Sequence, residues 1–87
     1  MSEIQIYSTS WCPYCRMAKR LLAAKGVSWH EVDVEQAPER RREMVLRCGR
    51  TTVPQIWIGD RHVGGYDELS RLEASGELDR FLERAGK

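Results

Sequence analysis

Cys12 and Cys15, held two residues apart in Trp11-Cys12-Pro13-Tyr14-Cys15, are the side chains of this sequence best suited to do chemistry. Their spacing can close a small disulfide loop, supply half of a zinc site or share a cluster, so by itself it leaves three chemistries open. The neighbours narrow the choice. Upstream, Ile4-Gln5-Ile6-Tyr7 alternates over a strand-sized run, and downstream Met17, Leu21 and Leu22 recur at helical spacing, which puts Cys12 at a strand-to-helix junction. Pro13 falls in the first helical turn, where its missing N–H would have had no intrahelical partner. Unpaired backbone N–H groups and the helix dipole then favour the thiolate at Cys12, and the thiolate is the nucleophile. Cys15, inside the first turn, is expected to be more covered and more inert. The pattern assigns attack to Cys12 and resolution of the mixed disulfide to Cys15.

The elements that must position this pair are legible along the chain. Residues 3–8 are expected as a first strand in the middle of the sheet, covered on both faces. A helix follows from Pro13 to about Lys25, with Met17, Leu21 and Leu22 as its apolar stripe and Gly26 as a left-handed stop. Val27–Val34 alternates and gives the second strand, and strand-helix-strand order implies parallel pairing through a right-handed crossover. Pro38 and Glu39 open a second helix that buries Met44, Val45 and Cys48 and ends at Gly49, with Arg40, Arg41, Arg42 and Glu43 on the opposite side. Two strands joined at Gly59-Asp60 make a hairpin. Pro54, at the entry to that hairpin, suits a first strand position or a cis Val53-Pro54 bond. Gly64-Gly65 lets the backbone turn tightly or approach a ligand. Asp67 is placed to cap a third helix that buries Leu69 and Leu72 and stops at Gly76, and Leu78, Phe81 and Leu82 form a last short helix.

At 87 residues the chain is a single domain, 1–87, at the lower end of what one core can hold. Hydrophobic residues make up 41% and charged residues 31%, which is too apolar for a disordered chain. The formal net charge of +1, with no clustered basic surface carrying stacking aromatics, argues against nucleic acid. No apolar run approaches a membrane span, and the N-terminus enters a strand directly without a signal-type segment, so a cytoplasmic protein is expected. In that reducing compartment a cysteine pair so close in sequence is a catalytic or metal-binding feature sooner than a staple.

Four separated pieces, Cys12-Pro13-Tyr14-Cys15, Thr52-Val53-Pro54, Gly64-Gly65 and Asp67-Glu68-Leu69, stand in the order of one family, and over essentially its whole length the sequence resembles the glutaredoxins. Gly49–Ile56 is similar to the small bacterial glutaredoxin-3 type. The resemblance implies an α/β, thioredoxin-like fold: a four-stranded mixed sheet flanked by helices in the order β-α-β-α-β-β-α, with a short C-terminal helix. It implies a glutathione-dependent thiol-disulfide oxidoreductase that reduces protein disulfides and glutathione mixed disulfides. Cys12 would attack the protein-side sulfur of a disulfide, or the substrate sulfur of a glutathione conjugate, and Cys15 or free glutathione would release the product.

Glutathione offers a thiol, two carboxylates and an ammonium, and the resemblance implies a residue for each. Val53, before Pro54, would pair its backbone with the cysteine moiety as a strand holds an extended peptide. Asp67 would face the ammonium, with the N–H groups opening its helix on the adjacent carboxylate. Arg41 is the choice for the glycine carboxylate, with Arg40 and Arg42 as close rivals. Tyr14 and Thr52 would flank the sulfur, and Gly65 and Tyr66 complete the set. Two positions depart from the family pattern: Thr9 stands where lysine is frequent, and Tyr66 where cysteine is frequent. Altered affinity with retained activity is expected from both.

The expected partners are glutathione and oxidised or glutathionylated proteins, acting on a monomer with no tightly bound cofactor and no metal. A glutathione-ligated [2Fe–2S] dimer is the competing binding role, but cluster-binding relatives often carry glycine or serine where this chain has Pro13. A structural zinc module lacks about two of its four ligands. A thioredoxin served directly by a reductase is a nearer rival, disfavoured by Pro13-Tyr14 and by Asp67. Cys48 reads as buried filler, His30 and His62 as half-exposed strand residues, and Trp29 and Trp57 as packing. Trp11 is expected to sit exposed beside the nucleophile, where it could meet a protein substrate.

Overall fold

Local signals set the element boundaries in the computed structural model, which describes residues 4–85. In chain order these are β1 (Ile4–Ser8), α1 (Pro13–Ala24), β2 (His30–Asp33), α2 (Pro38–Cys48), β3 (Gln55–Ile58), β4 (Arg61–Gly64), α3 (Tyr66–Ser75) and α4 (Glu77–Ala85). Both α1 and α2 begin with a proline, and α2 ends on Gly49, whose φ of 73° is the left-handed conformation that closes a helix. The second strand is shorter than its alternation predicts. Val27 donates to the Leu22 carbonyl as part of the α1 terminus; His30–Asp33 pair with Gln5–Ser8 of β1, and the Val34 N–H adds a last hydrogen bond to the Ser8 carbonyl at 3.0 Å. Residue 3 of the expected first strand lies outside the described residues.

The sheet runs β2-β1-β3-β4, with β1 parallel to β2 and antiparallel to β3, and β3 antiparallel to β4. This is the four-stranded mixed sheet expected of a thioredoxin-like fold. Successive side chains point to opposite faces of a strand, so the two inner strands sort their residues into two layers. Ile4, Ile6, Ile56 and Ile58 face one side, where Ala18 and Leu22 of α1, Leu69 of α3 and Leu78 of α4 cover them. Tyr7 and Trp57 face the other, where they meet Val32, Val34 and Met44 of α2. Burying a side chain such as Leu22 or Met44 completely contributes about 1.5–3 kcal/mol, and these layers fix where α1 starts relative to β3.

Three expectations are corrected by the packing. Met17 is 40% exposed, because α1 turns Cys15, Ala18 and Leu22 inward and the two small residues let the helix sit close to the sheet. Glu43 is not turned wholly to the side opposite the buried stripe: it accepts the hydroxyl of buried Tyr7, which also receives a hydrogen bond from Arg47. Asp67 does not cap α3. Gly65 takes the N-cap position, and its N–H is satisfied by Oε1 of Glu68 at 2.7 Å, as a glutamate at the third helical position can do. Among the described residues no helix is long and apolar enough to cross a membrane.

Candidate active site

The last residue before α1 is Cys12, in an extended conformation with φ −79° and ψ 121°. It therefore sits at the positive end of the helix, with no acidic side chain in the first turn to offset that field. Its Sγ, on a residue only 8% exposed, lies 3.8 Å from the carbonyl oxygen of Val53. Cys15 is fully buried one turn further on. Burial pushes its thiol up from an ordinary 9.0 to about 11, and neighbouring Cys12 pushes the same way, against a backbone hydrogen bond from Thr9 and the charge of Lys19. A thiol with that value is ionised in about one molecule in ten thousand at neutral pH, so Cys15 is covered and inert, as its place inside the first turn predicts.

A cleft of about 290 Å³ adjoins Cys12 through Val53. Thr52, Val53 and Pro54 form one wall, on the segment that enters β3 through a cis Val53-Pro54 bond. Tyr14, from the first turn of α1, and Tyr66, from the first turn of α3, stand across from each other with ring centroids 6.4 Å apart. Gly65, Asp67 and Glu68 complete the lining, with Gly65 against the Pro54 carbonyl. Glycine at 64 has a physical reason: φ is +115°, and a Cβ there would lie 2.5 Å from Glu68 Oε1.

Most of the residues singled out in the sequence meet at this cleft. Tyr14, Thr52, Val53, Pro54, Gly65, Tyr66 and Asp67 all line it, and Asp67 presents an exposed carboxylate in the first turn of α3. Arg41 is not among the lining residues; its guanidinium donates to the carbonyl of Thr51 at 2.9 Å, at the outer end of the same loop. Arg50 lines the cleft instead and was not anticipated. It is held there by Glu68, whose Oε1 accepts both Arg50 at 3.1 Å and the Gly65 N–H. That backbone hydrogen bond, ahead of Arg50, keeps the Glu68 carboxyl below the usual carboxylate range. The spacing Gly65-Tyr66-Asp67-Glu68 carried a readable signal for Glu68, since a glutamate three residues after an N-cap reaches back to it. No local pattern marks Arg50.

Trp11 is exposed as expected, with its indole N–H on Glu35 at 2.8 Å. Cys48 is half-buried, its thiol against the Arg50 carbonyl. Among the described residues no group of three or more His, Cys, Asp or Glu side chains is gathered in a way that could hold a metal ion.

The glutaredoxin family model matches residues 4–63. The chain is 52% identical over 82 residues to a glutaredoxin of Pseudomonas aeruginosa, covering 94% of this chain and 98% of that one. It is 48% identical over 83 residues to glutaredoxin 3 of Escherichia coli, covering 95% and 100%. Among solved structures, a buckwheat glutaredoxin–glutathione complex superimposes with a TM-score of 0.91 at 25% identity, over 98% of this chain and 80% of that one. The solution structure of a Brucella melitensis glutaredoxin gives 0.83 at 50% identity, over 98% and 91%.

Proposed function

The chain belongs to the glutaredoxin family and is a thiol-disulfide oxidoreductase; from that premise we propose that it removes glutathione from mixed disulfides, with glutathione as electron donor. The observation that carries this reading is the cleft beside Cys12, which offers a distinct chemical group to each part of glutathione. Val53 offers its backbone, just ahead of β3, to the cysteine moiety. Asp67 and the opening N–H groups of α3 suit the ammonium and carboxylate of the glutamyl end, and Arg50 adds a cation there. Arg41, at the outer end of the Thr51–Pro54 loop, is the candidate for the glycine carboxylate. The bound molecule in the buckwheat complex is glutathione, which supports the same assignment.

A cleft that holds the glutathionyl half brings the glutathione sulfur, not the substrate sulfur, to Cys12. The Cys12 thiolate attacks that sulfur, the Cys12–glutathione disulfide forms, and the substrate thiolate leaves and takes a proton. A second glutathione thiolate then attacks the glutathionyl sulfur, producing glutathione disulfide and restoring Cys12. No step uses Cys15. Reduction of a protein disulfide differs, because Cys15 must attack Cys12 to expel the substrate. The part of the Cys15 shift that comes from Cys12 disappears once Cys12 is in a mixed disulfide, whereas the burial part remains and still holds the Cys15 thiol above its ordinary value.

Turnover of a small glutathione mixed disulfide, with glutathione supplied, tests the reading in wild type, Cys12→Ser and Cys15→Ser. Loss in the first variant and survival in the second are expected. Absence of turnover in the wild type would remove the deglutathionylating role.

A further inference from the structure

Behind the cleft, on the face of the sheet covered by α2, lies a hydrogen-bond chain that the exchange chemistry does not use. Gln55, the first residue of β3, is fully buried. Its Nε2 lies 3.0 Å from the Thr52 carbonyl and 3.3 Å from the Thr52 hydroxyl, and its Oε1 lies 2.7 Å from Nε2 of His62. A carbonyl only accepts, so the amide nitrogen must face Thr52 and the amide oxygen must face His62. An amide oxygen also only accepts, so His62 must donate from Nε2. The chain is therefore directional, from His62 through Gln55 to Thr52.

The strand pairing explains how His62 reaches so far. His62 is opposite Trp57 across the hairpin, and the register shifts between Ile56 and Trp57. Gln55 and Trp57 share a face of β3, so Gln55 is the diagonal neighbour of His62, within range of a long side chain. The imidazole packs on the Trp57 indole with centroids 4.7 Å apart, which fixes the ring plane. Burial, with Arg50 and Arg47 nearby, lowers the affinity of His62 for a second proton.

We propose that His62 is a positioning residue for the disulfide substrate: through Gln55 it fixes Thr52, and with Thr52 the cleft wall of Thr52–Pro54, whose Val53 carbonyl meets Cys12. The inference rests on the cleft being the site of the glutathionyl half. Thr52 and Val53 touch that half equally before and during exchange, so loosening them weakens binding without changing the chemical step.

Three substitutions in the full chain separate positioning from packing. Glutamine can place an amide N–H where Nε2 of histidine sits, asparagine is too short, and phenylalanine keeps the stack on Trp57 without a donor. The KM for a glutathionylated peptide should rise about fivefold in His62→Asn and His62→Phe, the effect of losing one hydrogen bond, with kcat within about twofold. His62→Gln should stay within about twofold of wild type in both. Two-bond proton–nitrogen spectra of the histidines in the native protein should show the Nε2–H tautomer at His62. An Nδ1–H tautomer, a glutamine variant as impaired as the phenylalanine one, or three variants with wild-type KM would each overturn the proposal. Wild-type turnover in the same assay reports separately on the function of the cleft.

Discussion

Cys12 and Val53, 41 residues apart in sequence, meet with the thiol sulfur 3.8 Å from the backbone carbonyl oxygen. The contact joins the N-terminal end of α1 to the segment entering β3, so the nucleophile stands next to backbone that lines the cleft ahead of the strand. It depends on the two strands that flank them: β1 delivers the chain to Cys12, and β3, entered from Val53, pairs with β1 from Ile4–Ile58 to Tyr7–Gln55. The site is thus built across one antiparallel pair, and the helix that carries Cys15 inward is the one that leaves Cys12 at its positive end.

That inequality is measurable by alkylation. A shift from 9.0 to about 11 leaves Cys15 about a hundredfold less ionised at neutral pH than an ordinary thiol, and it has no exposed surface. Limiting iodoacetamide followed by mass spectrometry should place the first label on Cys12 and the last on Cys15, with half-buried Cys48 between. Label on Cys15 before Cys48 would contradict the buried geometry.

The same shift sets an alkaline limit on stability. The folded state holds the Cys15 proton more tightly than the unfolded state does. Its contribution is therefore fully present below about pH 9 and is lost as pH rises through about 11. Urea midpoints of the reduced protein should fall across that window, and Cys15→Ser should flatten the fall. An unchanged pH profile in the variant would assign the alkaline loss to other groups.

Gly64 and Gly65 should respond differently to the same change. Alanine at 64 must adopt φ +115° and would put its Cβ 2.5 Å from Glu68 Oε1, displacing the carboxylate from the Gly65 N–H and from Arg50. A cost of about 1–3 kcal/mol is expected in chemical denaturation, with weaker glutathione binding. Alanine at 65 meets the Pro54 carbonyl at 3.3 Å and Glu68 Oε1 at an ordinary 3.6 Å, with an ordinary φ, and should cost less.

Arg50→Ala should raise the KM for glutathione about tenfold, the scale of a lost charge-assisted hydrogen bond, whereas Arg41→Ala should raise it less because Arg41 already donates to Thr51 and does not line the cleft. Steady-state kinetics with varied glutathione decide the order. A larger effect at Arg41 would return the main carboxylate contact to the residue expected from sequence.

The contrast between these arginines shows what the sequence could express. Cys12, Cys15, the hairpin at Gly59-Asp60 and the glycine stops were legible because each rests on a local rule of backbone geometry or spacing. Met17 misled because hydrophobicity alone cannot see that Cys15 and Ala18, both small, let α1 lie close to the sheet. Glu43 was misplaced because its partner, the Tyr7 hydroxyl, is 36 residues away on another element. Arg50 was invisible for the same reason: its place in the cleft is set by Glu68, eighteen residues later, and no periodicity encodes that meeting. Gln55 and His62, seven residues apart on one hairpin, give no signal until the register is known.

Thr9, where the family pattern often has lysine, is only 3% exposed. Among the described residues its hydroxyl is the buried side-chain group without a hydrogen-bond partner. The side chain therefore cannot serve the cleft as an exposed cation would, and the part of Thr9 that acts near the site is its backbone, which hydrogen-bonds toward Cys15. A buried hydroxyl with no partner costs about 1–3 kcal/mol of desolvation, and valine has nearly the same shape without it. Thr9→Val should consequently raise stability by about 1 kcal/mol, a shift of the urea midpoint by roughly 1 M for a slope of about 1 kcal/mol per M. The backbone contact to Cys15 is unaltered, so the alkylation order of the cysteines should stay the same. A loss of stability in Thr9→Val would show that the hydroxyl contributes a hydrogen bond, and a changed alkylation order would show that the side chain, not the backbone, governs Cys15.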